Sequence, residues 1–342
     1  MRALVLGATG FIGGHIAKAA LEAKWTVRAL RRNPENTGLL RDLSAMWVEG
    51  DLDQPTDLER IFQDIDVVFH AAGYYPSDSK NVPAQVAHSM QQTSNVLDLM
   101  RAGGVKRLVY TSSFTTMVPP ETRTLDGADE WEQFPPGVSA TTPGVADEED
   151  QYIPGMLARS AYYECKTAME RLLLEAVKDD FEIVILNPTM VLGPGENTRG
   201  IGSIFIALAS GRGVAWLPAK VDVVDVRDVA RGHLHAAQIG RSGQRYLLSG
   251  HNMELRQFMR YVSKLAGVRG PRLKLPLGLV DLLVWLEDHV PAVDGFANHL
   301  RAIRFWPYFT HRKASMDLNY SIRPLQETII DTLESFRERG YL

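Results

Sequence analysis

The chain has 342 residues, 45% of them apolar and 23% charged, and a formal net charge of −4. This is the composition of a soluble globular protein with one large domain or two moderate ones, and its slight acidity argues against a broad nucleic-acid surface. A single cysteine, Cys165, excludes an intrachain disulfide and any cysteine-based metal cage, and no metal site is expected.

The N-terminal apolar run is broken by glycines too early for a signal peptide. Residues 275–290 are apolar, but Asp281, Glu287 and Asp288 interrupt them. That stretch is too short to span a bilayer and is expected to form a buried or interface helix. The expectation is a cytoplasmic protein whose partners include neither a membrane nor nucleic acid.

Residues 1 to about 112 alternate short apolar runs with helical patterns, the signature of a parallel sheet wound with helices. The expected strands are 3–6, 27–30, 46–48, 67–70 and 107–111. The first runs into Gly7-Ala8-Thr9-Gly10-Phe11-Ile12-Gly13 and then a helix whose stripe includes Ile12 and Ile16. Gly7 permits the tight turn, Gly10 admits a pyrophosphate to the backbone, and Gly13 allows close helix–strand packing. The helix N-terminus then offers unpaired N–H groups to the phosphates. Such a turn between a strand and a helix marks a dinucleotide site.

Further cofactor contacts are expected along the same sheet edge. Arg31 and Arg32 follow the second strand, where an NAD-preferring enzyme would carry an acid. A guanidinium matches a 2′-phosphate, so NADP is expected as the preferred cofactor, with NAD as the alternative. Asp51 and Leu52 would bracket the adenine, and the small residues Ala71, Ala72 and Gly73 would let the backbone lie beside the cofactor. His70 is expected to pack at a strand end. The fifth strand ends in Thr111-Ser112-Ser113, hydroxyls at the carboxyl end of a parallel strand, where ligands bind in such sheets.

From residue 118 to about 159 the alternation stops, and Pro, Gly, Thr and acidic residues dominate. A connection this long is expected to be a functional lid or insert, with Trp131, Phe134, Tyr152 and Met156 able to cover an apolar substrate. Then Tyr162 and Lys166 stand four apart on one helix face. A nearby ammonium stabilises a phenolate, so Lys166 is expected to lower the Tyr162 pKa and make it a general acid or base. Tyr163 and Cys165 are expected to pack.

Together these motifs resemble an extended short-chain dehydrogenase/reductase, of the NAD-dependent epimerase/dehydratase superfamily. The resemblance also rests on residues 67–72, on Asn187-Pro188-Thr189-Met190-Val191-Leu192-Gly193-Pro194-Gly195, on residues 223–230, and on Asn319-Tyr320 before Arg323-Pro324. It implies Tyr162 as proton donor and acceptor, and Lys166 as the group that tunes it and binds the nicotinamide ribose. It also implies Ser113 as the group that polarises the substrate oxygen, with Ser112 as the alternative. Residues Pro188, Thr189, Met190 and Val191 would lie against the nicotinamide. In many members, helices four and five of the cofactor domain form a homodimer interface.

The implied architecture is α/β: a Rossmann-type doubly wound parallel sheet over 1–187, interrupted by the insert at about 118–159. A smaller α/β substrate domain over 188–342 would follow, with 221–237 returning to the Rossmann sheet. Trp216, Met253, Trp285, Phe305 and Trp306 in that part are candidates for an apolar pocket, with core packing the plainer role.

The chain departs from nucleotide-sugar enzymes at several points. Val221 stands at an arginine that anchors the diphosphate, with Lys220 beside it as a substitute, and Asp225 stands at a histidine. The Asn-x-x-Gly-Thr of the fourth helix reads Ser89-Met90-Gln91-Gln92-Thr93, and Asn187 replaces an arginine. This form is closer to the dihydroflavonol reductase and hydroxysteroid dehydrogenase branch. The expected activity is hydride transfer to or from a small-molecule carbonyl or secondary alcohol. The alternatives are a nucleotide-sugar epimerase with tightly held NAD, or a non-catalytic dinucleotide sensor.

Overall fold

The computed structural model describes residues 1–40, 44–56, 58–76, 81–118, 145–157, 160–196, 200–276 and 306–342, with isolated positions between 277 and 305. Most of the expected insert, including Trp131 and Phe134, lies outside the described residues, as do Phe305 and most of the expected helix at 275–290.

Seven strands form one sheet: β1 (Arg2–Leu6), β2 (Thr26–Arg31), β3 (Met46–Glu49), β4 (Val67–His70), β5 (Arg107–Thr111), β7 (Glu182–Pro188) and β11 (Arg245–Leu248). Their order is β11-β7-β5-β4-β1-β2-β3 and every pairing is parallel. The two-residue strand β6 (Val145–Ala146) lies apart and pairs with β14 (Tyr308–Phe309). The chain order reverses between β1 and β4, which opens a crevice at their carboxyl ends.

Burial on both faces explains the near-continuous apolar strands. Along β1, Ala3 and Val5 enter the core under α1 (Phe11–Glu22) and α5 (Val226–Ile239). Leu4 and Leu6 enter the opposite core with α2 (Val82–Gly103) and α3 (Ala161–Ala176). The five expected strands all form, within a residue or two at their ends.

One expectation is corrected. The strand within 221–237 does not return to the large sheet: β10 (Lys220–Asp225) pairs with β8 (Met190–Leu192) and β12 (His251–Glu254) in a separate three-stranded sheet. The segment returns through its helix, α5, which covers one face of the large sheet, and the returning strand is β11. Asp225 and Asp228 hold this crossing. Asp225 accepts from the Arg227 N–H at 2.8 Å, and Asp228 accepts from the Arg323 N–H at 2.7 Å, which ties the C-terminal segment to α5.

The small sheet packs on α4 (Ile201–Ala209), α6 (Leu255–Leu265) and the C-terminal helix Leu325–Glu338 through Phe205, Phe258, Ile329 and Phe336. Strands β9 (Ala215–Trp216) and β13 (Leu273–Lys274) form a further parallel pair. No helix among the described residues is long and apolar enough to cross a membrane.

Candidate active site

The glycine turn is built without side chains because there is no space for them. Gly7 has φ +88°, and a Cβ there would lie 2.8 Å from the Ala71 backbone. At Gly13 a Cβ would meet the Gly7 carbonyl oxygen at 2.2 Å. Gly10 caps α1 with no side-chain hydrogen bond and no acid in the first turn, so the helix N-terminus stays open to an anion. Thr9, Phe11 and Ile12 surround it half-exposed, and Ala71, Ala72 and Gly73 run alongside. The donor set of bare N–H groups fits a pyrophosphate.

At the second strand the two arginines part company. Arg31 stands opposite Glu49 in the β2–β3 register and donates to its carboxylate at 3.1 Å, with its guanidinium 5.3 Å from the Trp47 ring. Arg32 is exposed and forms no ion pair among the described residues. Asp51 turns the chain by accepting from the Asp53 N–H at 3.1 Å, and the buried Leu52 is fixed through its carbonyl by Asn95.

Ser113, Tyr162 and Lys166 come together at the end of β5. Ser113 caps the short helix Phe114–Met117, accepting from the Thr115 N–H at 3.3 Å. Tyr162, in the first turn of α3, is near enough to Ser113 for the serine to oppose the rise of its pKa. Lys166, buried one turn along α3, donates to the Thr111 carbonyl at 3.2 Å, and its Nζ lies 5.3 Å from the Tyr110 ring and 6.0 Å from the Tyr162 ring. Ser112 is buried with no partner for its hydroxyl, and the Thr111 hydroxyl pairs with His233 at 2.8 Å.

Burial pushes the Tyr162 hydroxyl well above its ordinary value, Tyr75 adds to that, and Ser113 opposes it. Burial pushes Lys166 itself down to about 8, with Glu170 opposing. The tyrosine is therefore held protonated by its burial.

Pro188 closes β7 opposite Leu248, and Met190 and Val191 open β8. The Thr189 hydroxyl turns inward to the buried Asp222 carboxylate. Val221 is 1% exposed, and Lys220 lies 4.7 Å over the Tyr308 ring. Asp225 caps α5, and Gln92 donates to Asp53 at 2.8 Å.

An aromatic wall surrounds Tyr162. The Tyr75 ring, 62% exposed, lies 4.8 Å from it, and Tyr163 lies on its other side at 6.3 Å. Trp306 donates to the Tyr163 hydroxyl at 2.8 Å and packs edge-on against Phe114 at 4.9 Å. Tyr152, which is buried, and Met156 pack into this cluster. Trp216 and Met253 pack in the small-sheet core instead, and Trp285 is exposed. Tyr75 was not among the residues expected at the site; its only signal was its place in the loop after Gly73.

The crevice, the open helix N-terminus and the Ser113–Tyr162–Lys166 grouping define a dinucleotide-binding α/β protein. Residues 3–249 match the model of the NAD dependent epimerase/dehydratase family, and the chain belongs to that family. It is an NAD(P)-dependent oxidoreductase of the short-chain dehydrogenase/reductase type.

The chain is 28% identical to a putative dihydroflavonol 4-reductase of Synechocystis sp., over 99% of this chain and 95% of that protein. It is 26% identical to sterol demethylase protein B of Methylococcus capsulatus over the full length of both. Its fold is similar to that of a nucleoside-diphosphate-sugar epimerase from Pseudomonas aeruginosa, with TM-score 0.77 and 24% identity over 100% of this chain and 99% of that one.

Proposed function

We propose that the protein is an NADP-preferring carbonyl reductase, or secondary-alcohol dehydrogenase in reverse, for an uncharged apolar substrate. The gathering of Ser113, Tyr162 and Lys166 at the end of β5 carries this reading. The aromatic wall of Tyr75, Tyr163, Phe114 and Trp306 supports an apolar substrate, as does the buried Val221 in place of a phosphate anchor. The names of the two curated relatives, a reductase and a sterol-acting protein, agree with that class.

Gly7, Gly10 and Gly13 would hold the pyrophosphate, Arg32 the 2′-phosphate, and Lys166 the nicotinamide ribose. When bound, the nicotinamide supplies or accepts the hydride. Ser113 donates a hydrogen bond to the substrate oxygen and polarises the carbonyl. Tyr162, protonated at rest because of its burial, passes its proton to that oxygen. The buried Lys166 ammonium then stabilises the phenolate left behind. The aliphatic side chains of Met190 and Val191 keep water from the reacting carbon. Residues 188–342 would supply most substrate contacts, and the outer faces of α2 and α3 a homodimer interface.

A panel of aryl and alicyclic ketones and aldehydes, run beside nucleotide sugars with NADPH and NADH, tests the function. Reduction of uncharged carbonyls with NADPH is expected. Epimerisation of a nucleotide sugar, with NAD copurifying at full occupancy, would overturn it.

A further inference from the structure

Behind Ser113 lies a buried polar cluster with no part in the chemistry just described. Glu170 follows Lys166 by one helical turn on α3 and is 3% exposed. Its Oε1 receives Asn187 Nδ2 and lies 2.9 Å from Thr116 Oγ1, while Arg245 faces Oε2 at 3.5 Å. Asn187 Nδ2 also lies 3.0 Å from the Ser113 carbonyl and 3.0 Å from Thr116 Oγ1, so its two hydrogens are shared among three acceptors. Both the Ser113 carbonyl and the carboxylate only accept, so the amide nitrogen must face them and the side chain has one usable orientation. The Arg245 guanidinium reaches on to the Glu148 carbonyl, and to that of Asp150 at 3.1 Å. Glu148 in turn accepts from the Leu247 N–H at 2.7 Å, and the Tyr152 N–H donates to the Thr116 carbonyl at 2.9 Å.

Each member comes from a different part of the candidate site. Thr116 belongs to the turn that Ser113 opens, Glu170 to the helix of Tyr162 and Lys166, and Asn187 directly precedes Pro188. Arg245 begins the strand that closes the sheet. Stability alone does not call for such a cluster, because apolar side chains of the same volume serve a core as well or better than a buried ion pair. A polar network with its charged members partnered does something apolar packing does not: it permits a single relative placement of the elements it joins.

We propose that Glu170 is a positioning residue. Through Thr116, Asn187 and Arg245 it registers the Ser113 turn against the Tyr162–Lys166 helix and the Pro188 strand exit, and seats residues 145–157 beside them. This rests on the reading of Ser113, Tyr162 and Lys166 as the reacting set.

The test compares Glu170→Gln, Thr116→Val and Tyr162→Phe with the wild type, all loaded with NADPH. Amide hydrogen exchange is read over the whole chain, and reduction of benzil, an uncharged aryl diketone, is followed at steady state. Glu170→Gln keeps an acceptor for Asn187 and Thr116 but turns an amide towards Arg245. Exchange is expected to rise about tenfold or more in peptides covering 112–117 and 145–152, and to stay unchanged in β1, β2 and β3. Its kcat is expected to fall about tenfold at nearly constant KM, the pattern of a group that acts through geometry.

Thr116→Val retains the Glu170–Arg245 pair, so it folds even if the charge variant does not. It should loosen 112–117 alone and lower kcat several-fold. Wild-type exchange and kcat in both variants would overturn the proposal, as would loosening spread evenly over the sheet. Full benzil turnover by Tyr162→Phe would instead overturn the reading of the reacting set. If the wild type leaves benzil unreduced, the exchange data alone decide the positioning role.

Discussion

The Thr189 hydroxyl donates to the buried carboxylate of Asp222, joining the segment after Pro188 to the middle of β10. The same carboxylate accepts from the Gly250 N–H at 2.7 Å, yet its second oxygen has no partner. Burial outweighs these bonds and raises Asp222 from 3.8 to about 6. A carboxyl raised in the fold contributes stability that is fully present below its unfolded value and lost as pH rises through its folded value. At neutral pH the fold therefore carries a cost of up to about 3 kcal/mol at this position. Asp222→Asn should flatten the fall in stability between about pH 4 and pH 6 and leave the fold at least as stable at neutral pH. Urea midpoints across that range check this, and an unchanged slope in the variant contradicts it.

Tyr162→Phe removes the proton donor assigned to the reaction and little else. Turnover should drop about 100-fold or more, the scale of general acid catalysis. The dissociation constant for NADPH should change by no more than about twofold, because no cofactor contact depends on the hydroxyl alone. Fluorescence titration beside steady-state assays separates the two, and equal losses in both would count against the assigned role.

Arg31 pairs with Glu49, and the proposed NADP preference assigns the 2′-phosphate to Arg32. Arg32→Ala should weaken NADPH binding about tenfold, the worth of a charged hydrogen bond, with NADH nearly unaffected. Calorimetry with both dinucleotides measures the ratio. Parallel weakening of both would place the arginine outside the cofactor site.

Gly13→Ala forces a carbon to within 2.2 Å of the Gly7 oxygen unless strand and helix separate. Overpacking of this kind costs about 1–3 kcal/mol, and here it also spreads the turn that receives the pyrophosphate. The variant should melt several degrees lower and lose dinucleotide binding; retention of both would show that the turn has slack.

Much of the large sheet was legible because its strands are buried on both faces and read as unbroken apolar runs. The glycines and the Tyr162–Lys166 pair were legible for the same reason: local spacing alone fixes them. What failed was long-range. The pattern of β10 does not say which sheet it joins, since its partners β8 and β12 stand far from it in the chain. The pairing of Arg31 with Glu49 was available in principle, because parallel strands of nearly equal length set those residues side by side. Glu170 and Arg245 gave no signal, and Asn187 only that of standing in an arginine's place, because a buried polar cluster exists only once four distant segments have met.

The late arrival of β11 also bears on how the chain is made. Strand β7 is buried from Ile183 to Pro188, and β11 alone protects its outer edge. Until residues 245–248 leave the ribosome, an apolar strand with unpaired backbone groups faces solvent, open to any other strand. Fragments cut just before Arg245 should therefore aggregate even though they hold the whole glycine turn and the reacting set, and a chaperone would be expected to engage the nascent chain over this interval.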